Sequence, residues 1–140
     1  MIAVIRISGD VKISEKIRES LNRIRLRRKY SCVLLKPTEN NLKLLRKIRD
    51  YIAYGSIDKE TLKELIEKRA IPLKKGTKID SEKIISNLEK TSLFDLGIKH
   101  FFRLHPPRKG IDSKKHFGTT KKAVLGDNKE KINDLIRRML

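Results

Sequence analysis

Two groups of side chains in this 140-residue chain could do chemistry, and both are cationic. The first is Arg23, Arg25, Arg27, Arg28 and Lys29, a run with no acid inside it. A guanidinium is a planar fork that holds phosphate oxygens through paired N–H donors, so this density suits a phosphodiester backbone. Cations also favour a helix C-terminus, and this run follows a helical pattern, but five uncompensated ones exceed that need. The second group is Arg103-Leu104-His105-Pro106-Pro107-Arg108-Lys109-Gly110, then Lys114, Lys115, His116, Lys121 and Lys122 against a single acid, Asp112. Prolines and a glycine interrupt regular structure there. Residues 105–122 therefore read as a basic loop that orders on a polyanion, the competing reading being a solvent-exposed disordered loop. His105 is as well placed to pack as to bind, whereas His116 sits inside the basic tract and suits a phosphate or a base.

The whole chain agrees with these groups. Lys+Arg number 35 against 17 Asp+Glu, a formal charge of +18, which points to nucleic acid as partner. Other chemistry finds no support. His100, His105, His116 and Cys32 lack the close paired spacing of a zinc site. No phosphate-cradling glycine loop is present, and no nucleophile–base set can be picked out, so neither an enzyme nor a cofactor is expected. Glu60, Glu64 and Glu67 alternate with Lys59, Lys63 and Lys68 as on a solvated helix. Aromatics are few, and no Lys/Arg-Gly-Phe/Tyr strand offers a base-stacking sheet. Recognition of folded RNA by shape and phosphate is favoured over readout of single strands, and no helix-turn-helix argues for DNA. Cys32 stands alone, which fits a reducing, intracellular setting. No apolar run approaches the roughly 20 residues of a membrane span.

The elements that must position these cations follow from periodicity. Ile2, Val4, Ile5 and Ile7, ended by Gly9-Asp10, predict a buried first strand rather than a signal peptide, because Arg6 breaks the apolar run. Ser14 caps a helix with Ile17, Leu21 and Ile24 inward. Ser31–Lys36 is a second strand, Thr38 caps a helix with Leu42, Leu45 and Ile48 inward, and Tyr51–Tyr54 before Gly55 is a third strand or a helix tail. Beyond it, Asp58 caps a helix with Leu62, Leu65 and Ile66 inward, and Lys74-Lys75-Gly76-Thr77-Lys78 is a basic turn. Asp80 or Ser81 starts a helix with Ile84, Ile85 and Leu88, Phe101-Phe102-Arg103-Leu104 makes a short fourth strand, and Asn128 starts a last helix with Ile132, Leu135, Ile136 and Met139. The expected class is α+β: a small three-stranded antiparallel sheet in β-α-β-α-β order (residues 1–55), ferredoxin-like in part. A mostly helical extension (56–140) with the basic loop completes a single domain, 1–140.

Several of these stretches resemble a known family. The Lys36-Pro37-Thr38 corner, Asp50-Tyr51-Ile52-Ala53-Tyr54-Gly55, the Leu104-His105-Pro106-Pro107 element with its basic Gly110 loop, Lys115-His116 and Ile132–Met139 are similar to the L-thirty family of large-subunit ribosomal proteins. The similarity is to its long archaeal form, related to eukaryotic L-seven. The resemblance implies a sheet with the first strand central and two helices on one face. It also implies a cytoplasmic structural role in the large subunit, with large-subunit ribosomal RNA, neighbouring ribosomal proteins and the 5S RNA as surroundings. The binding set is then Arg23, Arg25, Arg27, Arg28, Lys29, Lys36, Lys43, Arg103, His105, Arg108, Lys109, Lys114, Lys115, His116, Lys121 and Lys122. Where the family carries Arg-Gly-Met, this chain has Leu42-Lys43-Leu44, so Lys43 replaces the charge without the close approach a glycine permits. A free-standing RNA-binding or chaperone module is the alternative, with an RNA-processing enzyme behind it.

Overall fold

The computed structural model describes residues 1–74, 79–88 and 91–140. Of the expected basic turn at Lys74-Lys75-Gly76-Thr77-Lys78, all but Lys74 lies outside the described residues. The first half follows the expected order: β1 (Ile2–Arg6), α1 (Glu15–Arg23), β2 (Ser31–Leu35), α2 (Glu39–Lys47) and β3 (Ile52–Ser56). α3 (Lys59–Arg69) and α4 (Ser81–Asn87) come next, then β4 (Phe101–Arg103), β5 (Asp112–His116) and β6 (Ala123–Asp127). A 3-10 turn (Lys129–Lys131) leads into α5 (Ile132–Met139). Thr38 caps α2 by accepting from the Asn41 amide, and Asp80 caps α4 by accepting from that of Lys83.

β1 is central, antiparallel to both β2 and β3, as the resemblance implied. The three expected strands are nevertheless only the middle of a six-stranded mixed sheet, ordered β4-β2-β1-β3-β6-β5. β4 extends it antiparallel to β2, while β6 pairs parallel to β3 and β5 parallel to β6. Every residue of β1 is buried because both sheet faces are covered. Ile2, Val4, Val33, Ile52 and Tyr54 face α1 and α2 through Leu21, Leu26, Leu45 and Ile48. Ala3, Ile5, Cys32, Ala53 and Phe102 face the second half through Leu62, Leu65, Ile66, Ile132, Leu135 and Ile136. Gly55 is what lets the last segment dock: a Cβ there would stand 2.1 Å from the Lys129 carbonyl oxygen.

The basic loop expected at 105–122 is therefore not an unstructured arm. The Asp112 amide donates to the Lys122 carbonyl and the Phe117 amide to that of Leu125. Pattern reasoning missed β5 because its sequence, Asp112-Ser113-Lys114-Lys115-His116, has no apolar face. It is an edge strand, where lysines also keep other chains from pairing. The prolines before it do end regular structure, as expected: residues 104–111 lie outside any helix or strand. β4 and β5 lie at opposite edges, five strand spacings or about 24 Å apart. The chain from Arg103 to Asp112 crosses between these edges and turns once on the way, where the Gly110 amide donates to the Pro107 carbonyl at 3.1 Å and Lys109 and Gly110 take positive φ. Pro106 and Pro107 fix φ in its first part, and the crossing is tied down on α5: the His105 and Arg108 amides donate to the carbonyls of Met139 and Arg138. The Arg138 guanidinium in turn donates to the carbonyls of Arg108 and Gly110.

Candidate nucleic-acid interface

The segment between α1 and β2 presents the first cationic group. α1 ends in a Schellman motif: the Arg25 amide donates to Asn22 and the Leu26 amide to Leu21, both at 2.9 Å. Leu21 and Leu26 are fully buried, the apolar contact that accompanies this ending. The motif turns the chain through a left-handed residue, and that residue is Arg25, at φ 65. Glycine is the usual occupant, so an arginine here holds its place against a backbone cost.

A residue the sequence reasoning set aside fixes the rest of this segment. Arg6 closes β1 with its side chain 1% exposed. Its guanidinium donates to the carbonyls of Leu26 at 2.9 Å, Arg27 at 2.8 Å, Ser8 at 3.0 Å and Gly9 at 3.2 Å. It also meets the Asp10 carboxylate at 2.7 Å. That bond, followed by the charge itself, holds the Asp10 carboxyl below its ordinary range. The Arg6 carbonyl accepts from the Tyr30 amide at 2.7 Å, so one residue anchors both ends of the turn 26–30. The signal was legible: a lone cation inside a β-branched run must either be exposed or be fully hydrogen-bonded.

These anchors bring Arg25, Arg27, Arg28, Ser31, Phe101 and Arg103 around one cavity of about 230 Å³. Two residues come from β4, because β2–β4 pairing sets Ser31 beside Arg103 and Val33 beside Phe101. The Arg103 guanidinium carbon lies 5.9 Å from the Phe101 ring centroid. Phe101 and Ser31 carry no charge and escaped the sequence reading for that reason. An adjoining groove is lined by Arg23, Arg25, Lys36 and His100 with Val33, Leu34 and Leu93.

The remaining expected residues divide. Chain direction places the 26–30 turn, Arg103, the 104–111 crossing and β5 at one end of the sheet. Because Ala53 pairs with Gly126, the start of β6, and β5 beside it, lie level with the entry to β3. The His116 Nε2 accordingly stands 2.9 Å from the Asp50 carboxylate. His105, Arg108, Lys109, Lys114, Lys115, Lys121 and Lys122 thus share this end of the sheet, and Lys114, Lys121 and Lys122 line a shallow recess with Ser113 and Thr120. Lys36 lies at the other end, beside Arg23 and Arg25. Lys43 stands apart on α2, paired with Glu39 at 2.7 Å.

Pairing separates the cations further. Arg23 meets Glu19 and Lys115 meets Asp112, while a ring nitrogen of His116 lies against the Asp50 carboxylate. Among the described residues, Arg25, Arg27, Arg28, Lys29, Lys36, Arg103, Lys109, Lys114, Lys121 and Lys122 form no ion pair. Uncompensated guanidinium groups around a cavity with no acidic lining give it a positive field that favours an anion. Among the described residues no group of His, Cys, Asp or Glu could hold a metal, and no helix is long and apolar enough to cross a membrane.

Comparison with known proteins names the family this surface belongs to. The family profile for ribosomal protein L30p/L7e matches residues 2–52, from β1 to the start of β3. Large ribosomal subunit protein uL30 of Methanococcus maripaludis is 36% identical, covering 99% of this chain and 98% of its own. The proteins of the same name from Nanoarchaeum equitans and Archaeoglobus fulgidus are each 37% identical over 99% of this chain. The likeness therefore runs through the second half as well as the first, and the chain belongs to the L30p/L7e family of ribosomal proteins.

Proposed function

We propose that this protein is a structural constituent of the large ribosomal subunit that binds large-subunit ribosomal RNA in the cytoplasm, in the neighbourhood of the 5S RNA. The observation that carries the RNA contact is the cavity of unpaired arginines at 25, 27, 28 and 103. A helix end needs no such surplus, and every acid that could have neutralised it is absent from the lining. The basic end of the sheet, from Arg108 and Lys109 to Lys121 and Lys122, supplies a second contact across its width. The mechanism is charge neutralisation on a backbone already shaped: Arg6 and the Schellman ending fix the turn that carries these arginines before RNA arrives, so the ordering entropy lost on binding is mainly that of the side chains. In this reading the chain, 1–140, works as one domain, since β1 is buried from both faces by the two halves together.

Co-sedimentation with large subunits, with and without a high-salt wash, tests the proposal. A structural constituent stays at one copy per subunit, whereas a chaperone-like RNA binder washes off. Footprinting on deproteinised ribosomal RNA then locates the contact and decides whether the 5S RNA adjoins it.

A further inference from the structure

The cavity at the β4 edge sets four guanidinium groups around a phenyl ring, a combination that the groove at Lys36 and the recess at Lys114 lack. A duplex backbone is convex and neutralised best by a flat or open cationic face, as along Lys114, Lys121 and Lys122. Here the guanidinium groups of Arg25, Arg27, Arg28 and Arg103 surround a hollow of about 230 Å³ with Phe101 and Ser31 in its lining. Phe101 and Arg103 lie two apart on one strand and so share a face, with the guanidinium over the ring. β4 is an edge strand, so no further strand closes this side.

We propose that this cavity seats one unstacked nucleotide of the bound RNA, a proposal that rests on the RNA-binding reading above. The chemistry of the lining selects that ligand. An isolated phosphate would use the arginines and leave the ring without purpose. An apolar ligand would leave four cations unpaired, and a cationic one would be repelled. An unstacked nucleotide matches all parts: its flanking phosphates meet Arg25, Arg27 and Arg28, and its base lies against the Arg103–Phe101 pair. Ser31 offers the base edge or a ribose hydroxyl one small donor and acceptor.

The test uses the full chain and two synthetic RNA hairpins, identical except that one carries a single bulged nucleotide. Affinities are measured across salt. The wild-type protein is expected to prefer the bulged hairpin about tenfold, since stacking one base on such a platform is worth about five- to a hundredfold. R103K keeps the charge and removes the planar face; F101L keeps the bulk and removes the ring. Each is expected to bring the ratio of bulged to plain affinity to about one, whatever its effect on the plain hairpin, and to leave both salt slopes as in the wild type, because stacking, unlike phosphate contact, releases no counterions. Equal wild-type affinity for the two hairpins, or a preference that survives both substitutions, overturns the nucleotide seat and leaves RNA binding intact. Failure to bind either hairpin overturns both readings.

Discussion

Arg25 sets stability against binding at one residue, which makes its replacement by glycine a sharp test. In the structure Arg25 occupies the left-handed position of the Schellman ending at φ 65 and contributes its side chain to the arginine-lined cavity. A non-glycine residue in that conformation costs roughly 1–2 kcal/mol, and glycine loses roughly 0.5–1 kcal/mol more backbone freedom on folding. Arg25→Gly should therefore leave stability unchanged or raise it by up to about 1.5 kcal/mol, a Tm increase of at most ~5 °C for a domain of this size. Both backbone hydrogen bonds of the motif survive, since neither involves the side chain. Binding should move the other way. A charge-assisted contact contributes about 1.5–3 kcal/mol, so affinity for ribosomal RNA falls about ten- to a hundredfold. The slope of log affinity against log salt should shrink by about 0.7–0.9 as one phosphate contact is lost. Thermal unfolding and filter binding at several salt concentrations read both quantities on one preparation. A variant that is less stable by more than 1 kcal/mol, or that binds RNA with the parental slope, would refute the reasoning: the first outcome makes Arg25 a packing residue, the second leaves it facing solvent.

Three other outcomes follow from the same geometry. Reversing Arg27 and Arg28 to Glu, both exposed and unpaired, should flatten the salt slope by roughly 1.4–1.8 with little change in Tm; an unchanged slope in the same filter-binding series places them outside the interface. Gly55→Ala drives a methyl to within 2.1 Å of a backbone carbonyl that cannot swing aside, so chemical denaturation should show a loss of at least about 1–3 kcal/mol. That loss should occur in a single transition if the β-α-β-α-β half and α5 unfold together; separate transitions would divide the domain. Burial pushes the Cys32 thiol up to about 12, so it should resist alkylation at pH 8 in the folded protein and react on unfolding. Because the neutral form is favoured only when folded, stability from this site should decline as pH rises from about 9 toward 12. Rapid labelling of native protein at pH 8 would contradict that burial.

What the sequence made legible was whatever carried a period or a surplus. β1, β2 and β3 and all five α-helices announce themselves through apolar spacing, because each buries a face. β4 was visible in Phe101-Phe102, and the arginine run in its lack of acids. β5 and β6 were not: an edge strand of Asp112-Ser113-Lys114-Lys115-His116 buries too little to leave a pattern, and the three apolar residues Ala123, Val124 and Leu125 of β6 are too few to show a period, so their pairing is decided by hydrogen bonds rather than by side-chain pattern. The same limit hid the division of the 103–122 stretch. Adjacent in sequence, Arg103 and Lys114 belong to opposite edges of the sheet, and only the strand order, set by long-range pairing, separates them. The cavity was half legible, since charge marked its arginines while Ser31 and Phe101 join them through β2–β4 register.

Arg6 explains how a turn of unpaired cations can keep a fixed backbone. Left alone, Arg25, Arg27 and Arg28 would repel one another and favour an extended, mobile turn. The hydrogen bonds that oppose this repulsion come from another cation, which would be a poor choice if charge were its contribution. Its value is geometric: a planar guanidinium with five N–H donors can satisfy several carbonyls at once, and here it takes the outward-turning carbonyls of Leu26, Arg27, Ser8 and Gly9. Lysine, with three donors on a flexible stem, could not hold both strands of the turn. Asp10 supplies the one compensating negative charge, and it does so from the exposed side, with 58% of its side chain in solvent, so the burial of Arg6 is balanced mainly by backbone dipoles. The core thereby reaches this turn through one side chain: β1 fixes Arg6, and Arg6 fixes the backbone of 26–30, so the turn that would meet RNA in the proposed reading takes its backbone position from the central strand.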